Sequence, residues 1–115
     1  MPNIDIDGND FHYLEIEGGR PSILMLCSTG LDSRQWRDMF PLIEGRRVVC
    51  PHYLCYPKSG QWKGDGDIDS WTDYLAAERI LLGEEGQVDI LGHSYGGFIG
   101  LMLAVNHPGK IRRMA

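Results

Sequence analysis

Apolar residues follow two different spacings along the chain, and the alternation of these spacings predicts an alternation of strands and helices. Within residues 3–17, two short stretches alternate apolar and polar residues, which predicts two strands joined by a turn at 7–10. A continuous apolar run at 22–27 is typical of a strand buried on both faces of a parallel sheet, and the mainly apolar stretches at 47–50 and 87–91 predict two further strands.

Three segments between and after these runs have helical spacing. They extend from about Ser33 to Ile43, with Asp32 or Ser33 as the cap, from about Asp69 to Leu82, and from the turn after residue 91 to about Asn106. Their apolar positions are Trp36, Phe40 and Ile43, then Trp71, Leu75, Ile80 and Leu82, then Phe98, Leu101, Met102 and Val105. We therefore predict an α/β domain with a mostly parallel sheet, flanking helices, and about five strands and three helices.

The most informative local feature is the turn between the last apolar run and the last helix. Val88–Leu91 ends in Gly92-His93-Ser94-Tyr95-Gly96, a G-x-S-x-G pattern between a strand and a helix. Such a turn strains the backbone at the serine and exposes its hydroxyl at a helix N-terminus, where the helix dipole favours negative charge. Glycines at 92 and 96 would leave room for the bend. The alternative is a glycine-rich turn that contains a serine by chance.

Composition excludes several classes of function. The 115 residues suffice for one small domain, and the net charge of −5 comes with no basic cluster beyond Arg46-Arg47 and Arg112-Arg113. We therefore expect no nucleic-acid surface. The longest apolar run, 98–105, is too short to cross a membrane, and residues 1–5 lack the pattern of a signal peptide. Three cysteines without a C-x-x-C spacing favour free thiols and a cytoplasmic location.

Other candidate sites are weaker. Asp65, Asp67 and Asp69 hint at calcium, but the glycine and glutamate of an EF-hand loop are missing, so a solvated loop is expected. Cys27 and Cys50 supply two thiols where a zinc site needs more ligands. No phosphate-binding loop is present. The sequence therefore predicts neither a metal nor an organic cofactor. Of the tryptophans, Trp36 and Trp71 are predicted to pack in the core, and Trp62 is the better candidate for lining a pocket.

Taken together, these features resemble the α/β-hydrolase fold family over essentially the whole chain. Gly92–Gly96 is similar to the family's nucleophile elbow, and Leu26–Leu31 followed by Trp36 is similar to the loop after its third strand. The chain departs from the family's patterns at Thr29, where the family often has histidine, and at His52, Cys55 and Pro57 in the segment after the next strand.

The resemblance implies a site. Ser94 would be the nucleophile, and the backbone N–H groups of Tyr95 and Leu31 would form the oxyanion hole. The substrate would be a small molecule with an acyl carbonyl, and the family chemistry needs neither cofactor nor metal.

The same resemblance implies missing parts. In the family, the acid and the histidine of the triad follow the serine in the chain, and no histidine here is an obvious base. We expect residues 1–115 to be the N-terminal part of a single domain whose cap and C-terminal strands are absent. Residues 110–115 are predicted to be the opening of a further strand. If that strand does not complete the sheet, Val88–Leu91 would be an exposed edge strand. The alternatives are an inert homologue or a binding fragment that pairs through this edge, with itself or with a separate C-terminal half.

Overall fold

The computed structural model describes residues 2–28, 31–53 and 70–115. It confirms an α/β architecture with a six-stranded sheet in the order β1-β2-β4-β3-β5-β6. The strands are β1 Asn3–Ile6, β2 Asn9–Ile16, β3 Gly19–Leu26, β4 Arg46–Pro51, β5 Val88–Gly92 and β6 Ile111–Met114. The predictions for Thr29, Gly30, Cys55, Pro57, Trp62 and the 65–69 aspartates lie outside the described residues.

The sheet is parallel around its centre and antiparallel at one side. Strand β3 pairs in parallel with β4 and β5, and β5 pairs in parallel with β6. Strands β1 and β2 form a hairpin, which joins the sheet through an antiparallel pairing of β2 with β4. This order brings the carboxyl ends of β3 and β5 next to each other, and the loops that follow them therefore meet at one edge of the sheet.

Two helices and a long 3-10 segment flank the sheet, and a short 3-10 turn, Pro108–Lys110, precedes β6. Helix α1 is Ser70–Gly83 and helix α2 is Tyr95–Asn106. The segment Ser33–Ile43 is helical as predicted, but in 3-10 geometry and with Pro41 inside it, where proline has no N–H to donate. Its cap is Asp32, whose Oδ1 accepts from the Arg34 N–H at 2.9 Å.

The alternation of side chains along β3 divides the core in two. Leu24 and Leu26 face the layer of α1 and α2, whereas Met25 and Cys27 face the 3-10 helix. The first layer also buries Tyr74, Ala77, Leu81, Val88, Ile90, Ile99 and Leu103, and the second Trp36, Val48, Cys50 and Tyr53. The predicted burial of Trp36 is confirmed, and both layers support the strand ends near Ser94.

The apolar residues that recur at helical spacing in α2 do not mark its buried face. Phe98, Leu101 and Val105 are 50%, 55% and 78% exposed. The buried face is Gly96, Ile99, Gly100 and Leu103. The reason is close packing: a Cβ at Gly100 would lie 3.2 Å from Cγ2 of Ile90, so small residues, not the bulkiest apolar ones, face the sheet.

The prediction that Trp71 of α1 packs in the core is wrong. Its side chain is 52% exposed and stacks on Tyr74 with ring centroids 5.1 Å apart, and Leu82 is 53% exposed as well. Tyr74 and Leu81 are fully buried in their place. Apolar residues lie on every side of α1, so spacing alone does not select the face that meets the sheet.

The edge strand on the β5 side of the sheet is β6, and not Val88–Leu91 as expected. Ile111–Met114 forms β6 and covers β5, so Val88–Leu91 lies inside the sheet, and β6 is the edge strand on this side of the described sheet, with β1 at the opposite edge. Asp89 of β5 binds Arg46 of β4 at 3.0 Å and Arg112 of β6 at 2.6 Å. These ion pairs connect β5 to its neighbour β6 and, across the intervening β3, to β4, just before the turn at Ser94.

Candidate active site

Ser94 lies in the sharp turn between β5 and α2. Its backbone has φ 55° and ψ −116°, a left-handed conformation that L-residues rarely adopt. The side chain is exposed, and its hydroxyl makes no capping bond to the helix that follows. Strain of this kind at a residue other than glycine, held by the structure around it, is a feature of functional sites.

The two glycines of the pattern make the turn sterically possible. A Cβ at Gly96 would overlap the carbonyl groups of Leu26 and Cys27, and one at Gly92 would lie 2.8 Å from the Gly96 carbonyl oxygen. Gly97 is different, because the nearest atoms to its Cβ would be 4.0 Å away, on Gly92. Gly92 and Gly96 therefore allow α2 to begin directly against β3 and β5.

The turn is fixed by backbone hydrogen bonds. The His93 N–H donates to the Leu26 carbonyl at 3.2 Å, and the Gly96 N–H donates to the His93 carbonyl at 3.0 Å. Ser94 thus precedes the first residue of α2, Tyr95, where backbone N–H groups point out of the helix end. A developing negative charge next to Ser94 would be favoured by this helix N-terminus.

Leu31, the second residue predicted to supply an oxyanion N–H, follows β3 in the chain. Its side chain is 45% exposed, and its N–H donates to the Ser28 carbonyl at 3.2 Å. A role for this N–H in an oxyanion hole therefore requires the bond to Ser28 to be exchanged for one to a substrate oxygen.

An open groove runs beside Ser94, between α2 and the outer strand β6. Its volume is about 470 Å³. The lining is mainly apolar and comprises Ile90, Gly92, Ser94, Gly97, Phe98, Gly100, Leu101, Met114 and Ala115. The groove places apolar surface next to the exposed hydroxyl. A depression of similar volume, about 500 Å³, lies near Ile6 and Leu75, and Ser94 is not among its lining residues.

Tyr95, in the first turn of α2, is held by side chains of neighbouring segments. The Tyr95 hydroxyl donates to Asp73 of α1 at 2.6 Å, and its ring meets Tyr53 edge-on with centroids 4.9 Å apart. The Tyr53 hydroxyl donates to the Cys27 carbonyl at 2.8 Å. Burial raises the pKa of Tyr53, so this hydroxyl stays protonated and keeps its donor role.

Each of the four histidines is bonded to a group other than Ser94. The partners are Asn3 for His12, Ser33 Oγ for His52 at 2.9 Å, Gln35 Nε2 for His93 at 2.9 Å, and Glu78 for His107 at 2.8 Å. His52, at the end of β4, is almost fully buried. These bonds leave the general base unassigned within the residues that the structure describes.

The structure adds residues that sequence reasoning missed. Gln35 connects the loop after β3 to His93, and Asp73 anchors Tyr95, although both are far from Ser94 in sequence. No local pattern marks either residue, because both roles depend on how the 3-10 helix and α1 pack against the turn.

Cys27, directly after β3, and Cys50, in the neighbouring strand β4, are free thiols with their Sγ atoms 3.5 Å apart. The contact with Cys27 and burial raise the pKa of the Cys50 thiol. Across residues 2–28, 31–53 and 70–115, no three histidine, cysteine or acidic residues form a group suited to a metal ion. In the same ranges, no helix has the length and apolar character needed to cross a membrane.

Comparison with known proteins places this geometry in context. A family model described as alpha/beta hydrolase fold matches residues 21–115. The 2-hydroxymuconate semialdehyde hydrolase of Pseudomonas sp. (strain CF600) is 30% identical over 118 residues, which cover 97% of this chain and 38% of that protein. A pimeloyl-[acyl-carrier protein] methyl ester esterase of Aeromonas hydrophila is 27% identical over 97 residues, 84% of this chain and 37% of that protein.

Solved structures give the same fold. The thioesterase domain from the curacin biosynthetic pathway superimposes with a TM-score of 0.87 at 21% identity, over 98% of this chain and 43% of that one. An alpha/beta hydrolase from Novosphingobium aromaticivorans DSM 12444 gives a TM-score of 0.82 at 26% identity, over 94% and 39%. The chain therefore spans well under half the length of the proteins that it matches.

Proposed function

Because the chain belongs to the α/β-hydrolase fold family, we propose that it carries the nucleophile, Ser94, of a serine hydrolase that cleaves small acyl substrates. The observation that carries the proposal is the backbone of Ser94, with φ 55° and ψ −116° at the start of a helix. Strain is maintained there by the close approach of Gly96 to β3, and the result is an exposed hydroxyl.

The proposed chemistry is acyl transfer to serine and then to water. Ser94 Oγ attacks the substrate carbonyl carbon while a general base takes the hydroxyl proton. The tetrahedral intermediate collapses to an acyl-serine, and the leaving group departs with that proton. Water then attacks the acyl carbon, and the acid product and the free serine are released.

The negative oxygen of the intermediate is assigned to two backbone N–H groups. Tyr95 supplies one from the N-terminus of α2, and Leu31 supplies the other after its bond to Ser28 opens. Preorganised N–H donors of this kind typically contribute about 3 to 4 kcal/mol each to transition-state stabilisation.

We assign the acid and base of the triad to polypeptide that packs beside β6. Three features support this position: the outer strand β6 has an unpaired edge within the described sheet, Phe98 and Leu101 expose apolar surface beside it, and the groove near Ser94 opens there. The substrate class rests on the apolar groove and on relatives named as hydrolases and an esterase. The buried free thiols Cys27 and Cys50 favour a cytoplasmic location.

The test is covalent labelling of the folded chain with a fluorophosphonate probe, with and without added imidazole as a base from solution. The proposal predicts slow, single-site labelling at Ser94 that imidazole accelerates. Ser94→Ala should abolish labelling. Ser28→Ala, a matched serine whose described contacts use its backbone, should preserve it. Labelling spread over several serines, or insensitive to unfolding in urea, would refute an activated nucleophile.

A second candidate is a binding fragment that pairs through β6. The exposed α2 residues Phe98, Leu101 and Val105 favour it, because monomers rarely expose such a contiguous apolar face. Sedimentation should then show a dimer that Leu101→Lys dissociates. Leu42→Lys, at an equally apolar but remote site that is 80% exposed, should leave the dimer intact. A monomer at all concentrations would exclude self-pairing.

A further inference from the structure

Gln35 forms two hydrogen bonds that join the two sides of the candidate site. Its side-chain Oε1 accepts from the Ser28 N–H at 2.9 Å, and its Nε2 lies 2.9 Å from Nδ1 of His93. Ser28 follows the end of β3, and His93 immediately precedes Ser94. The Gln35 backbone is itself fixed, because its N–H donates to the Asp32 carbonyl at 2.9 Å.

Which atoms can donate and which can accept a hydrogen bond fixes the orientation of the Gln35 amide and the position of the proton on the His93 ring. A backbone N–H only donates, so the Gln35 atom facing Ser28 must be the carbonyl oxygen. The amide nitrogen then faces His93, and since that nitrogen only donates, Nδ1 of His93 must accept. The His93 ring is therefore neutral, with its proton on Nε2.

We propose that Gln35 is a positioning residue: through the neutral Nε2–H form of His93, it holds the loop after β3 against the turn that carries Ser94. Leu31, in that loop, and Tyr95, after the turn, carry the two N–H groups assigned to the oxyanion hole. We call the two hydrogen bonds of Gln35, to Ser28 and to His93, the clamp. Its contribution to acyl transfer rests on the proposed function, because an oxyanion hole works only when its donors keep their separation. The clamp itself stands on the two hydrogen bonds.

Amide hydrogen exchange at Ser28 and long-range ¹H–¹⁵N spectra of the His93 ring test the clamp in the 115-residue chain without any substrate. Gln35→Ala should make the Ser28 N–H exchange about five- to tenfold faster, the change expected for one lost hydrogen bond. The amides of β3 and β5 should keep their exchange rates. Gln87→Ala removes a comparable exposed bond, to the Gly109 carbonyl, and should leave Ser28 unchanged.

Gln35→Glu supplies the sharper variant because it keeps the shape of the side chain. One carboxylate oxygen still accepts from Ser28, so protection there should be retained, but the other now requires a proton on Nδ1 of His93. The spectrum should change from the Nε2–H form to a ring protonated on Nδ1. Unchanged Ser28 exchange in Gln35→Ala, or an unaltered His93 spectrum in Gln35→Glu, overturns the clamp. Failure of the proposed function would appear instead as absent labelling of Ser94.

Discussion

Two residues other than glycine, Asp7 and Ser94, have positive φ within the described chain, and they lie in contrasting surroundings. Asp7, at φ 50°, is in the turn of the β1–β2 hairpin, next to Gly8, where a Cβ would have nothing within 4 Å. Ser94, at φ 55°, is at a turn whose glycine Gly96 lies against the carbonyl of Leu26.

The difference shows what maintains an unusual backbone. At Asp7 the turn is open and local, since the Gly8 N–H is held by the Asp5 carboxylate three residues earlier. At Ser94 the conformation depends on the packing of α2 against two parallel strands, so it persists although it is strained. A hairpin turn tolerates change at its tip, whereas the turn at Ser94 is coupled to the core.

The largest expected effect tests that coupling. Gly96→Ala places a Cβ against the carbonyls of Leu26 and Cys27 and should lower the free energy of unfolding by about 3 kcal/mol or prevent folding. Gly97→Ala, one residue later and with open space, should change it by less than about 1 kcal/mol. Urea denaturation measures both. Equal effects of the two changes would mean that the turn is not packed against β3.

The next effect concerns the strand that leads into the turn. Hydrogen bonds from Arg112 and Arg46 lower the pKa of Asp89 from 3.8 to about 2. Between these values the unfolded chain takes up a proton that the folded chain does not, so the contribution of Asp89 is present above pH 3.8 and is lost as the pH falls toward about 2.

The amount lost should be on the order of 2 kcal/mol. It is measured as the difference in unfolding free energy between the unmodified chain and Asp89→Asn at pH 6 and at pH 2.5. Arg112→Gln should reduce this difference, because it removes the larger of the two hydrogen-bond effects on Asp89. A difference that does not change with pH would show that Asp89 does not link β4, β5 and β6.

The smallest expected effect is the difference in stability between glycine and alanine variants at Ser94 and at Asp7. Glycine relieves left-handed strain and alanine does not, so Ser94→Gly should be more stable than Ser94→Ala by about 1 to 2 kcal/mol. The gap between Asp7→Gly and Asp7→Ala should be smaller, below about 1 kcal/mol, because an open hairpin turn can relax. Thermal unfolding of the four variants measures the gaps. A larger gap at Asp7 would reverse the comparison.

The strands and the turn at Ser94 could be predicted because their signals are local. Mainly apolar stretches marked β3, β4 and β5, and the spacing of Gly92, Ser94 and Gly96 marked the bend between a strand and a helix. The family model over residues 21–115 confirms the fold that these signals indicated.

Features set by contacts between distant segments could not be predicted. The buried face of α2 contains Gly96 and Gly100, because a close approach to the sheet outweighs the size of Phe98 and Leu101. The bond of Gln35 to His93 joins residues 58 positions apart, and no sequence spacing encodes it.

The central claim is that the turn presents the side chain at position 94 to solvent, in a position where negative charge is stabilised. The most direct measurement is the pH dependence of iodoacetamide alkylation in a Ser94→Cys variant, with the unmodified chain as background for its own thiols. The account predicts single-site alkylation with a thiol pKa below the ordinary value of about 8.5, because the thiolate lies at the N-terminus of α2. A pKa at or above that value, or a thiol that resists alkylation in the folded chain, would contradict it.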